Sequence, residues 1–177
     1  MKSGVSLLSF CAGSFVFSRF HRHFSPKRRW VLCGSFAAQM LLTLGAASIV
    51  TIKGQPKDKE EIGWPVLLPI AMVAFQSCGQ AVTSRALKYN ALTSVVLTSI
   101  YCDLFSDAEL FSIKNAERNR RVGAPAFLLF GAFVGGILSH TTFGVAGSLW
   151  LASFLKAIVV LVWFVWPADP ASLLEQP

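Results

Sequence analysis

About five long apolar runs, separated by short polar or charged clusters, constrain the fold of this chain more than any other feature of its sequence. A helix needs about 20 consecutive apolar residues to cross the hydrocarbon core of a bilayer. Only 14% of the 177 residues are charged, whereas a soluble domain has about a quarter. A β-barrel would alternate polar and apolar residues in twos, and these runs do not. The sequence therefore predicts an all-α, multi-pass membrane protein with the lipid bilayer as its partner.

The predicted spans follow one another along a single helical membrane domain, residues 1–167. They are residues 5–17, 30–52, 64–84, 122–138 and 148–166. The first run is short for a span, so we expect the chain to begin inside or just before a helix. Residues 168–177 are expected to form a short disordered tail.

A sixth, shorter segment decides the predicted topology. Residues 91–105 are about half polar or small, and such segments are tolerated at membrane depth only where protein or water covers the backbone. We therefore predict a short or re-entrant segment. If it does not cross, the basic regions 19–29 and 85–121 lie on one side of the membrane, and the loops 53–61 and 141–147 lie on the other. The positive-inside rule then places the basic side in the cytoplasm.

The basic cluster RFHRHFSPKRR (19–29) is explained by this topology. A net charge of +7 could indicate nucleic-acid binding, but the basic residues lie between apolar runs, so no nucleic-acid partner is expected. An anionic-lipid patch is the alternative for this cluster. His21 and His23 are interpreted as loop residues rather than metal ligands. The four cysteines form no CxxC pair, so we predict no disulfide framework, metal site or cofactor.

Amide and hydroxyl side chains mark one face of the third span. Gln76, Gln80 and Thr83 recur there at helical spacing. They could line a substrate site or pathway, or they could form a polar seam that holds helices together, and the pattern favours neither. The lone amide of the second span, Gln39, is predicted to form an interhelical hydrogen bond.

Lys156 is the basic residue inside an otherwise apolar span. A charge at mid-bilayer costs at least ~3 kcal/mol, so its side chain either snorkels toward the level of Trp150 or forms a buried pair with Asp103. Arg85 competes for Asp103. A pair of this kind would mark a substrate or proton pathway. The candidate site residues are therefore Gln76, Gln80, Thr83, Arg85, Thr98, Asp103 and Lys156.

Small residues in the fourth span predict close helix packing, and two regions of the chain show a weak internal similarity. Gly131/Gly135 and Ala132/Gly136 are overlapping small-xxx-small pairs, which let another helix approach. The stretch LSFCAGSFVF followed by WVLCGSF resembles LLFGAFVGG followed by WLASF at an offset of 118 positions. Duplicated halves are typical of transporter folds, and here the two copies would run in opposite directions.

The chain resembles the fungal branch of the DUF1275 (YoaK-like) family of membrane proteins. The similarity lies in AFQSCGQAVTSRALKYNALTSVVLTSIYCDL (74–104), LLSFCAGSFVFSRF (7–20), RRWVLCGSFAAQMLL (28–42), RNRRVGAPAFLLFGAFVGG (118–136) and WLASFLKAIVVLVWFVWP (150–167). Members usually carry an earlier part with a Thr-Gly-Asn element, so the resemblance implies an N-terminally shortened member. It implies a transporter-like, multi-pass protein and supplies no catalytic residues.

The sequence is compatible with two functions. The polar face, the short polar segment and Lys156 favour a transporter-like protein for a small solute, with a homo-oligomer expected because the spans are few. The glycine-rich packing faces favour a non-transporting membrane scaffold or assembly subunit. The sequence contains no HExxH, no GxSxG and no glycine-rich phosphate loop, and the buried Ser and Cys residues have no nearby His. We therefore do not expect an enzyme.

Overall fold

The computed structural model describes residues 1–24, 28–54, 63–87, 102, 104–106 and 116–165. Its long helices are α1 (Lys2–Phe24), α2 (Arg29–Lys53), α3 (Trp64–Ala86), α4 (Ala116–Ser139) and α5 (Gly144–Val165). All of them are long and apolar enough to cross a membrane, α4 over Arg121–Ser139. No strand occurs among these residues, so the prediction of an all-α, multi-pass fold is confirmed.

The first helix is longer than its apolar run. The run at residues 5–17 is 13 positions long, but α1 has 23 residues and continues through the basic cluster to Phe24. The interpretation of His21 and His23 as loop residues was therefore wrong, because both lie in the last turn of α1. Residues 14–24 contain no glycine or proline to end the helix. Basic side chains are also favourable at a helix C-terminus, where the carbonyl groups are unpaired.

Glycine or proline lies at three of the other helix ends. Gly54 ends α2 with a positive φ of 71°, and its N–H donates to the carbonyl of Val50 at 3.0 Å. Gly144 begins α5 with a positive φ of 55°. Glycine adopts this backbone conformation without a steric cost. Pro65 lies in the first turn of α3, where proline removes no helical hydrogen bond.

The helix directions follow from contacts between their ends. The Phe24 and Trp30 rings are 5.0 Å apart, which brings the end of α1 to the start of α2. The Arg29 side chain reaches the carbonyl of Trp163, near the end of α5. Ser35 of α2 contacts Thr83, near the end of α3. We call this end of the bundle, where α1, α3 and α5 finish and α2 starts, the basic end.

α3 finishes and α4 starts at the same end of the bundle, the basic end. The hydroxyl of Ser148 donates to the carbonyl of Gly135 at 3.2 Å, so α4 and α5 form an antiparallel pair. Since α5 finishes at the basic end, α4 starts there, where α3 also finishes. The prediction that residues 91–105 do not cross the membrane stays a prediction. Most of that segment, like the tail at 168–177, lies outside the described residues; residues 102 and 104–106 form a helical turn.

The core of the bundle lies where α2 meets α3 and α5, and where α1 crosses α3. In the α1–α3 crossing, the Phe17 and Phe75 rings are 5.8 Å apart. A Cβ on Gly13 would lie 2.5 Å from both the Sγ of Cys78 and the backbone oxygen of Phe75. Because the obstacle includes a backbone atom, only glycine allows α1 and α3 to approach this closely.

The small residues of α4 do not fulfil the same role. A Cβ on Gly131, Gly135 or Gly136 would meet no heavy atom within 4 Å. Phe130 and Phe133 on the same helix are about two-thirds exposed. The close helix packing predicted at these glycines is therefore not made within the part of the chain that the structure describes.

The helix directions also bear on the internal similarity. The first pair of similar segments lies in α1 and α4, which run in opposite directions. The second pair lies in α2 and α5, which also run in opposite directions. Ser35 and Ser153, which align at the offset of 118 positions, are both buried. The arrangement has the antiparallel geometry that an inverted repeat requires.

Substituting Gly13 with alanine should destabilise the protein by about 1–3 kcal/mol, because the new methyl group overpacks the α1–α3 crossing. G131A is the matched control, since it adds the same methyl group to open space in α4. Thermal unfolding in detergent micelles should show a lower midpoint for G13A and an unchanged or slightly higher one for G131A. Equal midpoints for the two variants would contradict the described crossing.

Candidate functional site

Gln39 lies at the centre of the bundle and connects two helices. Its side chain is fully buried. Its Oε1 accepts a hydrogen bond from the Nζ of Lys156 on α5 at 3.2 Å, and its Nε2 donates to the Oγ of Ser35 at 3.4 Å. A Cβ on Gly79 of α3 would lie 2.8 Å from Nε2, so this glycine makes room for the amide. The predicted interhelical hydrogen bond of Gln39 is confirmed.

The hydrogen bonds continue from Ser35 to the basic end. The Ser35 Oγ lies 3.4 Å from the Oγ1 of Thr83, which lies 3.1 Å from the Nε2 of His21. Five side chains therefore form one connected series, which we call the polar chain: His21, Thr83, Ser35, Gln39 and Lys156. It joins α1, α3, α2 and α5, and its first four members are buried.

The donor groups of the polar chain can all point the same way. An ammonium group can only donate, so the Lys156 contact holds the Gln39 amide with its oxygen toward α5 and its nitrogen toward Ser35. Ser35 can then donate to Thr83, and Thr83 to the Nε2 of His21. The two contacts at 3.4 Å are longer than usual protein hydrogen bonds and are the weaker links. The two outer hydrogen bonds of the series, at Lys156 and at His21, are thus shorter than the two inner ones.

The environment of Lys156 answers one question that the sequence left open. Its ammonium group donates to Gln39 on α2. Trp150 lies at a different level of α2, because its indole N–H donates to the hydroxyl of Thr51 at 3.0 Å. The side chain therefore does not snorkel to the level of Trp150. Within the described part of the chain, the bond to Gln39 is the only hydrogen bond of Lys156. The predicted partner Asp103 lies outside the described residues.

Two buried polar atoms have no hydrogen-bond partner among the described residues: the Nδ1 of His21 and the Oε1 of Gln76. Gln76 lies on the face of α3 that packs on α2. Along that face Met72 meets Gly45, Gly79 meets Gln39 and Thr83 meets Ser35. A buried unpaired polar group costs about 1–3 kcal/mol. A group left in this state is a candidate contact for a ligand or a water molecule.

The structure separates the other sequence candidates. Thr83 and Lys156 belong to the polar chain and are linked through Ser35 and Gln39. Gln80 and Arg85 are exposed, although Gln80 was grouped with Gln76 and Thr83 by its spacing. Thr98, like Asp103, lies outside the described residues. Sequence reasoning missed His21 and Ser35 as members; the four-residue spacing of Ser35 from Gln39 was the signal available for Ser35.

Two open grooves of about 520 Å³ each lie away from the polar chain. One runs between α1 and α3 and is lined by Ser6, Phe10, Ala74 and Ser77, among others. The other lies at the end of α4, beside His140. Neither is lined by a member of the polar chain, so in this conformation neither groove leads to Lys156.

Arg29 fixes the register of α2 against α5. Its guanidinium donates to the carbonyls of Trp163 and Phe164, each at 2.9 Å. These carbonyls belong to the last turn of α5, where helical partners are missing and positive charge is favoured. At the other end, Trp150 bonds Thr51. The two contacts hold the helices on either side of the Gln39–Lys156 bond.

Replacing Arg29 with glutamine should destabilise the protein by about 1–2 kcal/mol, because two charge-assisted hydrogen bonds are lost at a helix end. Arg28 is the matched control: it is adjacent and exposed. In thermal unfolding, R29Q should lower the midpoint and R28Q should leave it nearly unchanged. A lower midpoint in R28Q alone would contradict the assignment.

The Gln39–Lys156 bond should be measurable as a coupling energy. Q39L alone leaves the part-buried Lys156 ammonium without its acceptor, whereas Q39L in a K156M background leaves no charge to satisfy. We expect Q39L to cost about 1–2 kcal/mol more in the presence of Lys156 than in its absence. Unfolding free energies of the two single variants and the double variant give this value, and additive effects would show that the two side chains do not interact.

Comparison with known proteins identifies a family. A family model described as "Protein of unknown function (DUF1275)" matches residues 1–162. No curated protein and no solved structure matches the chain.

Proposed function

We propose that this chain, which belongs to the DUF1275 family, is a multi-pass membrane protein with a transporter-like role for a small solute. One observation carries the proposal: the ammonium of Lys156, inside a membrane-length helix, contacts the buried amide of Gln39. Ionisable groups inside membrane helices are costly and are usually found where they serve a substrate or ion pathway. In this proposal the chain has no enzymatic activity.

The position of this contact within the candidate repeat supports the proposal. With the offset of 118 positions, Lys156 aligns with Ala38, the neighbour of Gln39. Gln39 and Lys156, which contact each other, therefore occupy positions that differ by one residue in the alignment of the two similar halves. In transporters built from inverted repeats, substrate and coupling-ion sites lie near the bilayer midplane at the interface between the repeats.

The unpaired oxygen of Gln76 supports a polar ligand rather than a purely structural seam. A seam that only holds helices together gains most when each buried group is satisfied. The Gln76 Oε1 has no partner in the described residues, and it faces α2 on the same side of α3 as Thr83. A solute or water molecule that donates a hydrogen bond would satisfy it.

A membrane scaffold or assembly subunit is the second candidate function. It is favoured by the pairing of the polar chain's members with one another and by the open glycine face of α4. In this alternative the polar chain is a dry connection between helices, and α4 offers its small residues to a helix of another copy or another protein. The two functions differ in whether water reaches the centre of the bundle.

Cysteine accessibility separates these functions. In a background lacking the four native cysteines, single cysteines at Ser35 and Gln76 test the polar face, and A47C is the matched control because Ala47 is a fully buried position of α2 away from the polar chain. A transport pathway predicts that a membrane-impermeant thiol reagent labels S35C and Q76C but not A47C. If all three stay unlabelled from both sides, the scaffold function is favoured and the transport proposal fails.

A further inference from the structure

The first helix carries exposed basic side chains beyond its apolar run. The apolar run covers residues 5–17, whereas α1 continues to Phe24. A helix rises 1.5 Å per residue, so residues 18–24 extend it by about 10 Å, which is enough to cross the head-group region on one side of a bilayer. Arg19 and Arg22 lie in this extension, three positions apart on one face of the helix, and both are exposed. In a bilayer they therefore lie at the depth of the lipid head groups.

Aromatic rings hold the start of α2 against this part of α1. The Phe20 and Phe24 rings are 5.3 Å apart, and the Phe24 and Trp30 rings are 5.0 Å apart. Trp30 is 51% exposed, and tryptophan is enriched at the membrane interface. Arg28 immediately precedes α2 and is also exposed. The ring contacts therefore keep it at the same end of the bundle as the two arginines of α1.

The basic cluster at residues 19–29 divides into side chains that face inward and arginines that face outward. Arg29 donates to two carbonyls of α5, and His21 is buried against Thr83. The exposed arginines, which we call the arginine face, are Arg19, Arg22 and Arg28. The inward side chains hold helices together, whereas the arginine face lies where the bundle meets the membrane surface.

We infer that the arginine face binds the phosphate head group of an anionic phospholipid. This inference does not depend on the proposed transport function. A guanidinium group matches a phosphate with two parallel hydrogen bonds. Basic residues beside a span attract the anionic lipids of the cytoplasmic leaflet. The predicted topology places the basic end on the cytoplasmic side, where these lipids are found.

The apolar neighbours of the arginine face favour a lipid over a soluble anion. The Arg19 guanidinium carbon lies 5.2 Å from the centre of the Phe15 ring. Phe15 lies one helical turn deeper in α1 and is 64% exposed, and Val16 beside it is also exposed. A phospholipid can place its phosphate at the arginines and an acyl chain along these two side chains. A soluble phosphate or a nucleic acid gains nothing from the apolar part of this surface.

The competing account is that the arginines only set the orientation of the chain in the membrane. They would then attract anionic lipids no more than other cations at the ends of the helices do. Lys2 and Lys53 provide this comparison, because they lie at the start of α1 and the end of α2, at the opposite end of the bundle. A lipid site at the arginine face predicts a difference between the two ends.

Native mass spectrometry of the full chain, released from detergent micelles, counts the bound lipids. Phosphatidylglycerol, which is anionic, and phosphatidylcholine, which has no net charge, are titrated in parallel with identical acyl chains. We expect the wild type to bind phosphatidylglycerol at least about fivefold more tightly. R19Q/R22Q should weaken this binding by about tenfold, because two guanidinium groups are lost. The matched control K2Q/K53Q removes the same charge and should change it by less than about twofold.

Soluble competitors test whether the ligand is a lipid. Glycerol phosphate and a short oligonucleotide should not displace phosphatidylglycerol, because neither contacts the exposed ring of Phe15. Displacement by either one overturns the lipid assignment. Equal binding of the two lipids also overturns it, and so do equal losses in R19Q/R22Q and K2Q/K53Q. If R19Q/R22Q aggregates in size-exclusion chromatography, the lipid preference of the wild type and its resistance to the soluble competitors decide.

Discussion

The hydrogen bond between Gln39 and Lys156 is the interaction on which the rest of the structure depends. In hydrocarbon no water competes for polar groups, so an amide and an ammonium placed inside two helices must find partners in the protein. Their contact at 3.2 Å sets which faces of α2 and α5 meet. Arg29 and Trp150 then hold the same two helices at their ends.

The same constraint explains why glycines and hydroxyl groups surround this contact. Gly79 has no side chain, which leaves room for the Gln39 amide. Gly13 likewise leaves room for the close approach of α1 and α3. Ser35 and Thr83 supply small hydroxyl groups that pass hydrogen bonds between helices without widening the gaps. The proposed function follows from satisfying buried polar groups in a bundle whose helices carry almost no acidic residues.

The helices and their directions were predictable from the sequence, whereas the partners were not. Apolar length fixes where a span must lie, and a lone amide such as Gln39 must bond within the protein, so both predictions held. The partner of Lys156 lies 117 positions away, and only the register of α2 against α5 brings the two together. His21 was misplaced because basic residues were assigned to a loop, although backbone hydrogen bonding continues through polar residues. The glycines of α4 predicted packing, but a small-residue pattern does not name the helix that uses it.

The most direct test of this account is the distance between the Lys156 Nζ and the Gln39 side-chain carbon in lipid. Solid-state NMR on the reconstituted chain, labelled with ¹⁵N-lysine and ¹³C-glutamine and compared with K156R to assign the signal, measures it. With the Nζ–Oε1 contact at 3.2 Å and a carbonyl bond of about 1.2 Å, the account predicts a separation of about 4 Å. A separation beyond about 6 Å, which excludes a hydrogen bond, would contradict it.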